Sequence, residues 1–268
     1  MIYPNVRRKR SGAPILSRNE IDEIGEAIVG DFDPSLLQKP QEVDIDLLVQ
    51  DYFGLSQDFQ YLSHCGLYLG MTVFNDTDKV IVYNPETARA EYISERADTV
   101  IIDNSLLANN QEHRYRFTMG HEGAHGFLHK PYFAYDPNQL TLFDFGLGDR
   151  PREPMVQCRI DSKQYSNKST KNWDDRDWME WQANALSSSM LMPKSMVIKA
   201  VQDMECELPD EKKSSIRWWT MASEISELFN VSFESATIRL KDFGFIPKNE
   251  NIEEDSEELL LLDWDSVI

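Results

Sequence analysis

The sequence is short of positive charge, of cysteine and of long hydrophobic runs, and each shortage excludes a class of protein. Its 268 residues hold 27 Lys and Arg against 46 Asp and Glu, a formal net charge of −19. Such a chain repels the phosphate backbone, so we expect no direct nucleic-acid binding. Three cysteines at unrelated spacings argue against a disulfide framework. No apolar run reaches the length of a membrane span, and the basic segment 7–10 lacks the apolar stretch that follows in a secretory signal. We therefore expect a cytoplasmic protein that does not contact a membrane.

Histidine is also scarce, yet three of the five histidines stand four residues apart, at positions 121, 125 and 129. The first two belong to a HExxH pattern formed by His121, Glu122 and His125. A helix turns about 100° per residue, so the two imidazoles lie on one face, where they can bind a zinc ion together. Glu122 lies round the side of the helix and can reach a water beside the metal without completing the ligand set. The alternative is a surface helix with two unrelated histidines.

A zinc site needs a third protein ligand, because zinc prefers nitrogen, sulfur and carboxylate oxygen donors in a tetrahedron. Glu180 is the best candidate. It opens a segment without Gly or Pro that runs to Pro193, which is typical of a helix that this proline ends. Asn184 lies one turn further along the same face and can hold a metal-binding side chain in place. Without the HExxH segment, Glu180 would be interpreted as an ordinary solvated glutamate.

Two further side chains are weaker candidates for metal ligands. Eight residues beyond His121, His129 has drifted by about 80° around a straight helix, so it cannot join the same tetrahedron. We expect it to line the cleft or to support a ligand from behind. Cys158 lies in the sequence between the metal-binding segments, and it is either an inhibitory thiolate ligand or a half-buried free thiol.

Four short segments carry a resemblance to a known family. They are RFTMG at 116–120, HEGAH at 121–125, EWQAN at 180–184 and LMP at 191–193. Together they resemble the ImmA/IrrE family of bacterial metallopeptidases, and the resemblance is strongest from 101 to 193. The chain departs from the family in having Ala124 where Gly is common, and in a longer gap before the third ligand.

The resemblance implies roles for individual residues. It makes His121, His125 and Glu180 the zinc ligands and Glu122 the general base. It also implies a substrate class, because these enzymes typically cleave helix-turn-helix transcriptional repressors.

The pattern of apolar residues predicts an α+β fold. A capping box at 17–20 and a periodic run at 45–53 predict two helices, and a later helix at about 111–130 carries HExxH. Between them, short β-branched or aromatic runs predict a small, mostly antiparallel sheet. These runs lie at 61–74, 79–83, 90–93 and 99–103. We expect a helical, zincin-like metallopeptidase core over residues 1–193, with an irregular insertion at 131–178 that forms either a lid or a packed decoration.

The remaining residues divide into a helical region at 194–248 and an acidic tail at 249–268. Helices predicted at 214–230 and 232–243 have the outline of a helix-turn-helix. A DNA-binding regulator is therefore an alternative function, although acidic residues cancel the basic ones in this region. The tail has eight acidic residues and no basic one from position 250 onward, and it is either a solvated extension or a docking element.

We expect a zinc-dependent endopeptidase, with Zn²⁺ as its cofactor, that hydrolyses a peptide bond in a protein substrate. The acidic charge and the resemblance together favour a basic helix-turn-helix repressor as the partner. A module that binds such a regulator without cutting it is a further alternative. The sequence leaves open the identity of the substrate, the cleavage site, the activating signal and the oligomeric state.

Overall fold

The computed structural model describes residues 1–133, 155–159, 169–207 and 214–252. The helices are α1 (Arg18–Phe32), α2 (Ile45–Leu47, continued by a π-helical turn at Leu48–Tyr52), α3 (Glu112–Leu128), α4 (Lys130–Phe133), α5 (Asp175–Leu191), α6 (Lys194–Glu207), α7 (Ser214–Phe229) and α8 (Phe233–Phe243). The strands are β1 (Ser56–Gln60), β2 (Tyr68–Val73), β3 (Thr77–Asn84), β4 (Arg89–Glu95), β5 (Thr99–Asp103) and β6 (Met155–Arg159). This mixture confirms the predicted α+β class.

Helix boundaries follow the capping residues of the sequence. The predicted capping box precedes α1, where the Ser17 and Glu20 side chains each accept a hydrogen bond from the other's backbone N–H. A second capping box, between Asp174 and Asp177, starts α5. That helix ends at Leu191, just before Pro193, as the sequence predicts. Because α5 begins at Asp175, the last four residues of the predicted insertion 131–178 belong to this helix.

The strands form two sheets, whereas the sequence led us to expect one. The larger sheet has the order β1-β5-β2-β6, in which β1 and β5 are parallel and the other pairs are antiparallel. The hairpin of β3 and β4 forms a separate two-stranded sheet. Strand β1 was not predicted, and the strand predicted at 61–74 begins only at Tyr68.

The C-terminal helices share their hydrophobic core with the helices that precede them. Phe229 of α7 and Leu240 of α8 belong to the same buried cluster as Met119 of α3 and Leu186 of α5. Helices α7 and α8 are the two helices of the predicted helix-turn-helix outline, and Asn230 turns the chain between them with a positive φ of 49°. The proposed boundary at 193 falls in the turn between α5 and α6, and the division into regions stays a prediction. Most of the insertion and nearly all of the acidic tail lie outside the described residues.

Candidate metal centre

Glycines allow helix α3 to lie unusually close to its neighbours. A Cβ added at Gly120 would come within 2.6 Å of the Ser187 hydroxyl on α5, and one at Gly123 would come within 2.6 Å of a Val49 methyl. Each glycine inside a helix costs up to about 1 kcal/mol relative to alanine. Here the two glycines let α3 contact α5 on one side and the turn after α2 on another. These close contacts hold the HExxH helix in a fixed position.

Helices α3 and α5 bring together the three predicted metal ligands. The Nε2 atoms of His121 and His125 lie 3.0 Å apart, and each is 3.4 Å from a carboxylate oxygen of Glu180. Ligands about 2 Å from a tetrahedral metal ion lie about 3.3 Å from one another. The observed separations are close to that value. The two contacts with Glu180 use different oxygens, Oε2 for His121 and Oε1 for His125. The three side chains lie close enough to share a single metal ion, since one ligand atom from each lies within 4.8 Å of the others.

The surroundings keep His125 and Glu180 in the charge states that metal binding requires. His121 and His125 are almost completely buried, and the Glu180 side chain is 15% exposed. Burial lowers the pKa of His125, so its imidazole is neutral near pH 7. Burial opposes the ionisation of Glu180, but the adjacent His125 and His121 outweigh it and lower the pKa of this carboxyl group. The donor set is thus two imidazoles and one carboxylate, which is a set that suits zinc.

Asn184 supports His121 from behind, as the sequence predicts. Its Oδ1 lies 2.9 Å from Nδ1 of His121. An amide oxygen accepts hydrogen bonds only, so the Nδ1–H of His121 donates and the Nε2 lone pair faces the Glu180 carboxylate.

Residues 159–241 match the family model described as the IrrE N-terminal-like domain. This match supports the resemblance of the chain to the ImmA/IrrE family of peptidases. The matched range contains Glu180 and Asn184 but begins after α3, so the fold, rather than the matched range, brings the two histidines of HExxH to them. A comparison with curated proteins finds no match. Among the residues that the structure describes, no helix is both long and apolar enough to cross a membrane.

Glu122, for which the ImmA/IrrE resemblance implies the role of general base, lies against strand β2. It is fully buried and does not belong to the ligand group that the described residues form. The Thr72 hydroxyl contacts the Glu122 carboxylate, with Oγ1 and Oε2 2.5 Å apart. Gly70 faces the same carboxylate, because a Cβ there would lie 2.6 Å from Oε1. Two residues of β2 therefore fix where this carboxylate lies, and neither was predicted as part of the site.

The remaining candidates have different outcomes. His129 follows the last residue of α3, is fully buried, and contacts His125 rather than the ligand group. Of the two positions that the sequence left open for His129, the structure shows the one behind a ligand, and its exclusion as a ligand stays a prediction. The backbone of Cys158, on β6, pairs with Gly70 of β2. The side chain of Cys158 lies outside the described residues, so its two predicted roles stay predictions.

Proposed function

We propose that this protein is a zinc-dependent endopeptidase of the ImmA/IrrE family and that its metal is held by His121, His125 and Glu180. The observation that carries the proposal is that two imidazole nitrogens and the Glu180 carboxylate come within 4.8 Å of one another inside a buried site. Groups of exposed acidic residues are common in proteins without a metal ion. Here, however, two of the three ligands are buried imidazoles whose second nitrogens are also occupied by hydrogen bonds.

The donor atoms favour zinc among the common metals. Two imidazole nitrogens and one carboxylate oxygen form the three-ligand set of catalytic zinc sites, which keep a fourth position for water or substrate. When bound, zinc would polarise the scissile carbonyl and lower the pKa of a water molecule towards neutrality.

Glu122 has the chemistry of a general base for this reaction. It directly follows His121 on α3, so it lies beside the ligand group without belonging to it. In the proposed reaction its carboxylate takes a proton from the attacking water and delivers that proton to the departing amine. The hydrogen bond from Thr72 to Oε2 restricts the rotation of the carboxylate, so the base is oriented before substrate arrives.

The proposed substrate is a basic protein, specifically a helix-turn-helix repressor. The family resemblance suggests this class, and the net charge of −19 supports it, because long-range attraction speeds encounter with a basic surface. Direct DNA binding has less support. Arg239, one of the few basic residues of the C-terminal helices, is completely buried in contact with Asp22 and so cannot reach a phosphate.

Metal analysis and two substitutions test this function. The purified chain should contain about one zinc ion, and Glu180→Gln should lose most of it, because a neutral amide is a poor zinc ligand. Glu122→Gln should retain zinc and lose cleavage by about 10²- to 10⁴-fold, or about 3–5 kcal/mol of barrier. Cleavage is measured on a repressor encoded beside this gene. Glu23→Gln, at an exposed position of α1, is the matched control and should change neither quantity.

The outcomes separate the alternatives. Full zinc content in Glu180→Gln would show that the third ligand is wrongly assigned. Undiminished cleavage by Glu122→Gln would overturn the role of the base. If the wild-type protein and Glu122→Gln both bind the repressor and neither cuts it, the protein sequesters its partner instead.

A further inference from the structure

A chain of hydrogen bonds runs from His125 to the segment before α1. Nδ1 of His125 lies 2.9 Å from Nδ1 of His129, and Nε2 of His129 lies 3.1 Å from Oε1 of Gln182. The Nε2 amide group of Gln182 then donates to the backbone carbonyl of Pro14 at 3.1 Å. The three side chains are at most 1% exposed. Water therefore does not compete for these contacts.

The backbone carbonyl of Pro14, at the end of this hydrogen-bond series, sets the direction of every hydrogen bond in it. The carbonyl of Pro14 can only accept, so the NH₂ group of Gln182 faces it and the amide oxygen faces His129. That oxygen can only accept as well, so Nε2 of His129 carries the proton. A neutral imidazole has a single N–H, which leaves Nδ1 of His129 as an acceptor towards His125.

These directions fix the tautomer of His125, a proposed metal ligand. Nδ1 of His125 must carry the proton that it donates to His129, so its Nε2 is the unprotonated nitrogen. That Nε2 is the atom 3.4 Å from Glu180 and 3.0 Å from Nε2 of His121. The reverse tautomer of His125 would place N–H at the metal position and would set two acceptor nitrogens, those of His125 and His129, against each other.

We propose that His129 and Gln182 are positioning residues that fix the tautomer and ring orientation of His125 for metal binding. The inference rests on the proposed function, because it takes the group of His121, His125 and Glu180 as a metal site. Asn184 does the same for His121 in a single step. The third histidine of the sequence pattern thus contributes to metal affinity without touching the metal.

Substitutions at both links test the proposal through zinc affinity. Loss of such an outer partner typically weakens metal binding about 10- to 100-fold. His129→Phe keeps a ring in the buried space but removes the acceptor, and Gln182→Leu removes the acceptor that holds His129, so each should weaken zinc binding by that factor. His129→Asn is the conservative variant, because its Oδ1 occupies nearly the position of the imidazole Nδ1. It should bind zinc within about 3-fold of wild type. Zinc dissociation constants are measured by competition with a chromophoric chelator.

A second measurement does not need the metal. In ¹⁵N NMR spectra of the metal-free wild type, His125 should show the Nδ1–H tautomer, and His129→Phe should convert it largely to the Nε2–H form. The double variant of His129→Phe and Gln182→Leu should bind zinc no more weakly than His129→Phe, because one break already interrupts the chain. Thermal unfolding of each variant shows whether a loss of affinity reflects loss of folding.

The possible results distinguish two failures. A wild-type protein that binds no zinc overturns the proposed function and this inference together. If wild type binds zinc and both His129→Phe and Gln182→Leu bind it equally well, only the positioning role is overturned. His129→Asn retains the hydrogen-bond acceptor and His129→Phe loses it. Equally weak zinc binding by these two variants would therefore also contradict the positioning role.

Discussion

An ion pair between Asp22 on α1 and Arg239 on α8 should be one of the strongest single contributions to stability. Nη1 of Arg239 lies 2.6 Å from Oδ1 of Asp22, and the two residues are 0% and 3% exposed respectively. The guanidinium also donates twice to the carbonyl of Met192, at 3.2 and 2.9 Å, and lies over the ring of Phe243. Since Met192 follows the last residue of α5, this one side chain joins α1 and α8 to the helix that carries Glu180.

Asp22→Asn keeps the shape of the carboxylate and removes its charge. Breaking a buried ion pair from one side costs about 3–5 kcal/mol, because the remaining charge stays buried without compensation. Arg18 lies 3.8 Å from Asp22 but is partly exposed, so water can solvate it in the variant. With a urea dependence of about 3 kcal/mol per molar, the unfolding midpoint should fall by about 1–1.5 M. Urea titration followed by tryptophan fluorescence measures this shift.

A surface pair and a double variant serve as controls. Arg7→Met breaks the exposed contact of Arg7 with Glu20, where the side chains are 74% and 42% exposed, and should leave the unfolding midpoint almost unchanged. Asp22→Asn combined with Arg239→Met should lose much less stability than the sum of the two single variants. A loss below about 1 kcal/mol for Asp22→Asn would refute the reasoning. A split of the unfolding curve into two transitions would instead show that the predicted region 194–248 unfolds by itself.

Two further predictions concern the catalytic base and the partner. Gly70→Ala should keep zinc but lower the cleavage rate at least about 10²-fold, because its Cβ would lie 2.6 Å from Oε1 of Glu122 and displace the base. Gly126→Ala, whose Cβ would meet the flexible side chain of Leu55 at the same closest distance, should cleave normally, and equal rates for the two variants would contradict this role of β2. Raising the ionic strength from about 0.05 to 0.5 M should slow association with a basic repressor several-fold in stopped-flow experiments, and deletion of residues 250–268 should reproduce part of that loss. A salt-independent rate would remove the steering argument, as would a gel shift of duplex DNA by the isolated chain.

The ligand helix and its chemistry were predictable because they depend on local geometry. The spacing of His121 and His125 fixes both imidazoles on one helical face whatever the rest of the fold does. The helix that begins before Glu180 has its own signals, a cap at Asp174 and an end at Pro193. The approach of Glu180 to the histidines depends on tertiary packing, so the sequence could only suggest it, through the need for a third ligand and through the family resemblance.

What the sequence did not reveal depends on contacts between distant segments. Strand β1 reads SQDFQ, which has few apolar residues, and it is a strand because it pairs along its length with β5. Residues 63–66 lie in the segment that we predicted as strand but form the turn before β2. Thr72 and Gly70 contact Glu122 across about 50 residues of chain, so no spacing rule within a single helix or strand predicts them.

The placement of the supporting contacts has a consequence for how the site forms. Helix α3 supplies both histidines, yet the hydrogen bonds that orient them end on Asn184, on Gln182 and, through Gln182, on Pro14. The carboxylate ligand also comes from α5. A helix α3 without α5 would therefore hold two imidazoles with free choice of tautomer and no anionic partner. High metal affinity requires the docked pair of helices, so metal binding and the packing of α3 against α5 must stabilise each other.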